Sequence, residues 1–168
     1  METSDRVLFG WGGSNHIVSD RYSYITIGPK AKIIFNGKAC FGEGISLRCD
    51  EGILVFGKNF STNKNCNISC NYKMNFEDNV LIGWNVIFRD SDGHKIYLNN
   101  IEKESKRDVI IRKNVWICSY TNILKGTEIP EGCVVAWRSL VMKKFSVKNC
   151  IIGGSPAKVI QENIIWKK

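Results

Sequence analysis

Residues 109–141 read VIIRKN VWICSY TNILKG TEIPEG CVVAWR SLV, and written in sixes they form columns. The third column holds Ile111, Ile117, Ile123, Ile129, Val135 and Val141, an unbroken apolar series. The first column holds Val109, Val115, Thr121, Thr127, Cys133 and Ser139, which are mostly small or β-branched. A helix needs apolar residues three and four apart, and a half-buried strand needs them two apart. A unit of six suits a short strand followed by a sharp corner, with a large residue filling the interior and a small one near the bend. Three units close a triangular coil of about 18 residues, and stacked coils bury a continuous core.

The same spacing reaches back along the chain. Phe76, Ile82 and Phe88 keep it, with partners Met74, Val80 and Val86; Phe56 and Ile68 keep it around Thr62, and Phe35, Phe41 and Leu47 precede them. The register shifts between Leu47 and Phe56, shifts again between Ile68 and Phe76, and stops between Phe88 and Ile111. The last gap is polar and predicts a loop over 89–108. Glycine or asparagine stands where a corner demands an unusual backbone angle: Gly44, Asn59, Asn79, Asn85, Asn114, Gly126 and Gly132. The pattern ends after Phe145, leaving 146–168 as a C-terminal segment. The expected fold is all-β, a left-handed parallel β-helix forming a single domain over 1–168.

Composition narrows the function. The chain carries 24 Lys and Arg against 16 Asp and Glu, a net charge of +8, so its surface attracts anions of any kind. The basic residues are scattered and no aromatic–basic module accompanies them, so nucleic acid is not an expected partner. No run approaches the roughly 20 apolar residues that span a bilayer. Met1–Arg6 is polar and the residues after it are interrupted by Gly10, Gly12 and Gly13, unlike a secretion signal. A cytoplasmic protein with seven reduced, mostly buried cysteines is expected. With two histidines, neither beside a cysteine pair, no metal site is expected, and a carbonic anhydrase with three histidine ligands is disfavoured.

His94 is the outstanding candidate for chemistry. It closes Arg89-Asp90-Ser91-Asp92-Gly93-His94 at the start of the interrupting loop. Histidine exchanges a proton near neutral pH, and a nearby carboxylate, Asp90 or Asp92, can fix its tautomer. His16, in Gly12-Gly13-Ser14-Asn15-His16, reads as a polar turn.

Three segments carry a resemblance. Asn114-Val115-Trp116-Ile117-Cys118-Ser119 resembles the N-V-W-I-G-x signature of hexapeptide-repeat acyltransferases, and Ile123–Gly126 and Ile129–Val135 continue it. Gly153-Gly154-Ser155-Pro156-Ala157-Lys158-Val159-Ile160 resembles that family's closing G-x-P-A-K-x-I segment. The resemblance is strongest to acetyl-CoA-dependent sugar O-acetyltransferases of the maltose, galactoside and nodulation types. It implies a homotrimer with sites between subunits, a sugar or glycan-precursor acceptor, and His94 as the base in direct transfer from acetyl-CoA. It places Asn63 and Trp116 at the acceptor, and Ser119, Trp137, Lys143 and Lys158 along the donor. The sequence departs from the family at Val135-Ala136-Trp137-Arg138-Ser139, where relatives read V-x-A-G-S: Trp137 stands where the pantetheine path has a small residue. N-acetylation of a nucleotide-linked amino sugar, and a non-catalytic scaffold with a blocked donor channel, are the alternative readings.

Overall fold

The computed structural model describes residues 2–3, 5–11 and 22–168, so His16 lies outside the described residues. Each six-residue unit becomes one short strand and one corner. Coil 1 is β1 (Glu2–Thr3), β2 (Val7–Trp11) and β3 (Tyr24–Ile27); coil 2 is β4 (Lys32–Phe35), β5 (Ala39–Gly42) and β6 (Ser46–Cys49). Coil 3 is β7 (Ile53–Phe56), β8 (Phe60–Thr62) and β9 (Asn67–Cys70); coil 4 is β10 (Lys73–Phe76), β11 (Leu81–Ile82) and β12 (Ile87–Arg89). An arm carrying β13 (Tyr97–Leu98) and β14 (Ile101–Glu102) follows. Coil 5 is β15 (Val109–Ile111), β16 (Trp116–Ile117) and β17 (Asn122–Ile123); coil 6 is β18 (Glu128–Ile129), β19 (Val134–Val135) and β20 (Leu140–Val141). The chain closes with β21 (Ile151–Gly154) and β22 (Ala157–Gln161).

The first strands of the coils form sheet A, the second sheet B and the third sheet C, with parallel pairing from coil to coil. The molecule is a left-handed parallel β-helix of hexapeptide repeats. Its coils are not all of one length. Ile110 pairs with Glu128, Trp116 with Val134 and Asn122 with Leu140, a step of 18. Lower down, Lys32 pairs with Ile53, a step of 21, and Ile53 with Lys73, a step of 20. From coil 2 upward the surplus falls at the corner between sheets C and A. Leu47 to Phe56, Ile68 to Phe76 and Phe88 to Ile111, the three breaks in the sequence rhythm, all cross that one corner.

The core explains the difference between halves. Below, Phe35, Phe56 and Phe76 stack ring on ring at 5.1 and 5.3 Å, with Phe41 and Phe60 beside them. Above, the same columns hold Ile111, Ile117, Ile123, Ile129, Val135 and Val141, all fully buried. Buried hydroxyls near the bends find backbone partners: Thr121 and Ser139 donate to the Ala136 carbonyl, and Thr127 to that of Val141.

All seven glycines and asparagines expected at bends have positive φ, from +54° to +75°. The corner between A and B stacks Asn59, Asn79, Asn114, Gly132 and Asn149 in this conformation, and the chain terminus runs along it. There the Ile164 amide donates to the Asn149 carbonyl, Trp166 Nε1 to that of Asn114 at 2.8 Å, and Lys168 Nζ to that of Asn59 at 3.0 Å. One strand escapes the sequence pattern: β21 joins sheet B beside β19, its inward Ile152 lying 17 residues after Val135 and so out of phase with the sixes. β22 then folds back antiparallel on β21.

Phe56 touches rings above, below and beside it, so Phe56→Ala should cost about 3–5 kcal/mol, read as a lowered urea midpoint. An unchanged midpoint would show that the aromatic column does not hold the lower coils together.

Candidate functional site

The corner between sheets B and C carries a groove of about 450 Å³ lined by Asn63, Leu81, Gly83, Trp84, Trp116, Cys118, Ser119, Tyr120 and Trp137. Four residues singled out in the sequence, Asn63, Trp116, Ser119 and Trp137, thus meet although they come from coils 3, 5 and 6. Larger hollows of about 530 and 670 Å³ lie at Tyr22–Tyr24 and around Arg112, and none of the candidate residues lines them. Stacking brings the four together, because in-register strands put corresponding turn residues one above another.

The groove wall is tightly built. The Ser119 hydroxyl accepts the Trp84 backbone N–H at 3.0 Å, tying coil 5 to coil 4. Position 83 has to be glycine, since a Cβ there would lie 2.6 Å from the Ser119 nitrogen. Trp116 is 36% exposed, with the Trp166 ring 6.0 Å away; Trp137 is 58% exposed. Burial pushes the Cys118 thiol up, which leaves it protonated and a poor nucleophile at neutral pH.

His94 lies elsewhere. It is exposed on the arm that leaves the C–A corner, and sheet C separates that corner from the groove of the same chain. Neither aspartate is hydrogen-bonded to it. Asp90 is fully buried, and its two carboxylate oxygens accept the backbone N–H groups of Asn71 and Tyr72, each at 2.8 Å. It continues the column of Cys49 and Cys70; hydrogen bonding to Cys49, burial and the Asp90 charge together hold the Cys70 thiol well above its usual range. Asp92 pairs with Lys125 Nζ at 2.5 Å, and that lysine also donates to the Glu104 carbonyl at 2.6 Å. The Arg107 amide donates to the Asp90 carbonyl and the Asp92 amide to that of Ser105. The aspartates and Lys125 therefore fasten the base of the arm that presents His94. Its outer part shows Ile96, Tyr97, Leu98 and Ile101, all large, apolar and exposed.

Lys143 follows β20 at the C–A corner, its ammonium 5.2 Å from the Phe145 ring, and Lys158 is exposed on β22. Sequence reasoning does not single out Trp84, Tyr120 or Lys125. For Tyr120 a signal exists, since it occupies the bend position that other units give to glycine or asparagine. Among the described residues no cluster of three or more His, Cys, Asp or Glu is placed to hold a metal, and no helix is long and apolar enough to cross a membrane.

A solenoid of six-residue units, grooved along one corner and armed at another, defines a class of proteins. The sequence matches no protein-family model. It is 40% identical over 164 residues to a 24.8 kDa protein of the Klebsiella pneumoniae cps region, a match covering 98% of this chain and 72% of that one. The fold superposes on the polySia-specific acetyltransferase NeuO with a TM-score of 0.67, at 20% identity, over 99% of this chain and 88% of that one. On a galactoside acetyltransferase in complex with coenzyme A the TM-score is 0.57, at 25% identity, over 92% and 64%. The chain spans 29% of the length of an Escherichia coli polysialic acid O-acetyltransferase that it matches at 33% identity, and 26% of a Morganella morganii chloramphenicol acetyltransferase. The chain belongs to one family with the cps-region protein, and its fold is the hexapeptide-repeat acyltransferase fold of the sugar and polysaccharide O-acetyltransferases.

Asp90→Ala would strip the acceptor from two backbone N–H groups, and a loss of about 1–3 kcal/mol is expected. Limited proteolysis should then cut faster within 90–108 than in the wild type. Unchanged cutting would show that Asp90 does not anchor the arm.

Proposed function

We propose that the protein is an acetyl-CoA-dependent O-acetyltransferase acting on a hydroxyl of a sugar or surface-polysaccharide precursor. The observation that carries this reading is the convergence of Asn63, Trp116, Ser119 and Trp137 in one groove. In this reading the acceptor hydroxyl sits by Asn63 and Trp116, and the pantetheine arm of the donor runs past Ser119 and Trp137. The exposed amines of Lys143 and Lys158 serve the donor's phosphates as point charges. His94 takes the proton from the acceptor hydroxyl as its oxygen attacks the thioester carbonyl. A backbone N–H beside the carbonyl stabilises the developing oxyanion, and the departing thiolate then takes up a proton. Holding both substrates together supplies much of the rate. The protonated Cys118 thiol agrees with direct transfer rather than a cysteine-bound intermediate.

His94 and the groove occupy different corners, so one chain alone does not assemble this site. A second copy must bring its arm to the groove, and a cyclic homotrimer closes three such sites. The exposed apolar arm residues are suited to that contact. Asp92 acts as a positioning residue, through its ion pair with Lys125.

Release of free thiol from acetyl-CoA should be followed over a panel of sugars, amino sugars and nucleotide sugars. His94→Ala is expected to lower kcat by about 10²–10⁴ while coenzyme A still binds. Equal rates in variant and wild type would remove His94 as the base. Mixing His94→Ala with Asn63→Ala protomers should restore part of the activity, since some sites in mixed trimers combine an intact arm with an intact groove. Trp137→Ala is expected to change the KM for acetyl-CoA; an unaltered KM would take that ring out of the donor path.

A further inference from the structure

The turns from sheet B into sheet C place a left-handed residue in five successive coils: Gly44, Asn65, Asn85, Tyr120 and Arg138, with φ between +55° and +70°. Glycine and asparagine accept this conformation readily, whereas a tyrosine or arginine crowds its Cβ against the following carbonyl. Two adjacent coils therefore keep strained residues, and their side chains converge. The Tyr120 ring lies 5.8 Å from that of Trp137 at 69°. The Arg138 guanidinium sits 4.9 Å from the Trp137 ring centre and 5.9 Å from that of Tyr120. All three side chains are exposed, and Arg138 forms no ion pair or side-chain hydrogen bond among the described residues. A guanidinium held against aromatic rings and engaged in no ion pair has N–H donors to offer, in the fork that matches a carboxylate or a phosphate. Backbone strain kept at the rim of a groove is characteristic of a ligand contact.

We propose that Arg138, held between Tyr120 and the Trp137 ring that borders the donor path, reads an acid group on the acceptor, so that the acceptor is an anionic glycan bearing a carboxylate or a phosphate. This rests on the transferase reading above. There the donor's phosphates fall to Lys143, which follows β20 at the C–A corner, and to Lys158 on β22, the outermost strand of sheet B. Arg138 instead borders the aromatic and amide surface that begins at Asn63 in coil 3. The net charge of +8 adds a long-range attraction for a polyanion.

The test is equilibrium binding by tryptophan fluorescence, without donor, using three probes. These are an oligosaccharide carrying a carboxylate, the same oligosaccharide with the carboxyl reduced to an alcohol, and a glycosyl phosphate. At least one anionic probe should bind about tenfold or more tighter than the reduced one. Which anion shows the preference separates an acidic glycan from a phosphorylated precursor. Arg138→Asn should abolish the preference, and Arg138→Lys should restore only part of it. Arg138→Asn should also melt at an equal or higher temperature, because asparagine suits the turn; a lowered melting temperature would assign Arg138 a structural role and overturn the proposal. Equal binding of all three probes would overturn it too. So would a loss in Arg138→Asn confined to coenzyme A, which would give the guanidinium to the donor. Absence of acetyl transfer with the anion preference intact would count against the transferase reading alone.

Discussion

Every coil of this molecule is held by backbone hydrogen bonds to the coils above and below it, and those ladders form only where successive edges are equally long. The requirement is severe, because a one-residue slip in a strand turns its inward side chains outward. From coil 2 upward, sheets A and B, and sheets B and C, are accordingly joined by edges of constant length. In these coils the C–A corner absorbs the surplus residues, and the arm bearing His94 is the largest such surplus. Architecture and chemistry therefore share one constraint: whatever the protein adds must leave from an edge that tolerates addition.

This constraint explains what is legible in the sequence. The inward columns, the bend residues and the breaks in rhythm are all set by local spacing, so they can be read without coordinates. That the three breaks stack on one corner cannot be read so easily, because it requires knowing which unit closes each coil. β21 escapes for a related reason: its distance from β19 is no multiple of six, and a ladder partner is chosen by space rather than by count. Among the candidate residues, those on the repeat are legible as a group, since Asn63, Trp116, Ser119 and Trp137 keep a fixed relation to it. Partners of the arm are not. Asp90 and Asp92 look like companions of His94 by proximity in the chain, yet the backbone turns them toward Asn71, Tyr72 and Lys125.

The corner between B and C shows how a repetitive scaffold becomes specific. Three of its turns use glycine or asparagine and are conformationally relaxed, while two use tyrosine and arginine. A side chain at such a turn projects from the prism edge instead of filling the core, so it alters a groove without altering the stack. Strain of about 1–2 kcal/mol per residue is small against the burial of a continuous core. The scaffold is stable enough to hold unfavourable turns where a surface feature is wanted.

The antiparallel hairpin at the end of the stack limits growth. A solenoid is in principle a polymer: each finished coil offers a parallel edge on which another can form, whether from the same chain or from a neighbour. On sheet B that offer is withdrawn, because β22 runs opposite to β21 and leaves outermost a strand of the wrong direction to extend the ladder. The hairpin thus acts as a stop on this ladder: at that end of the stack sheet B offers no parallel edge on which a further coil could continue.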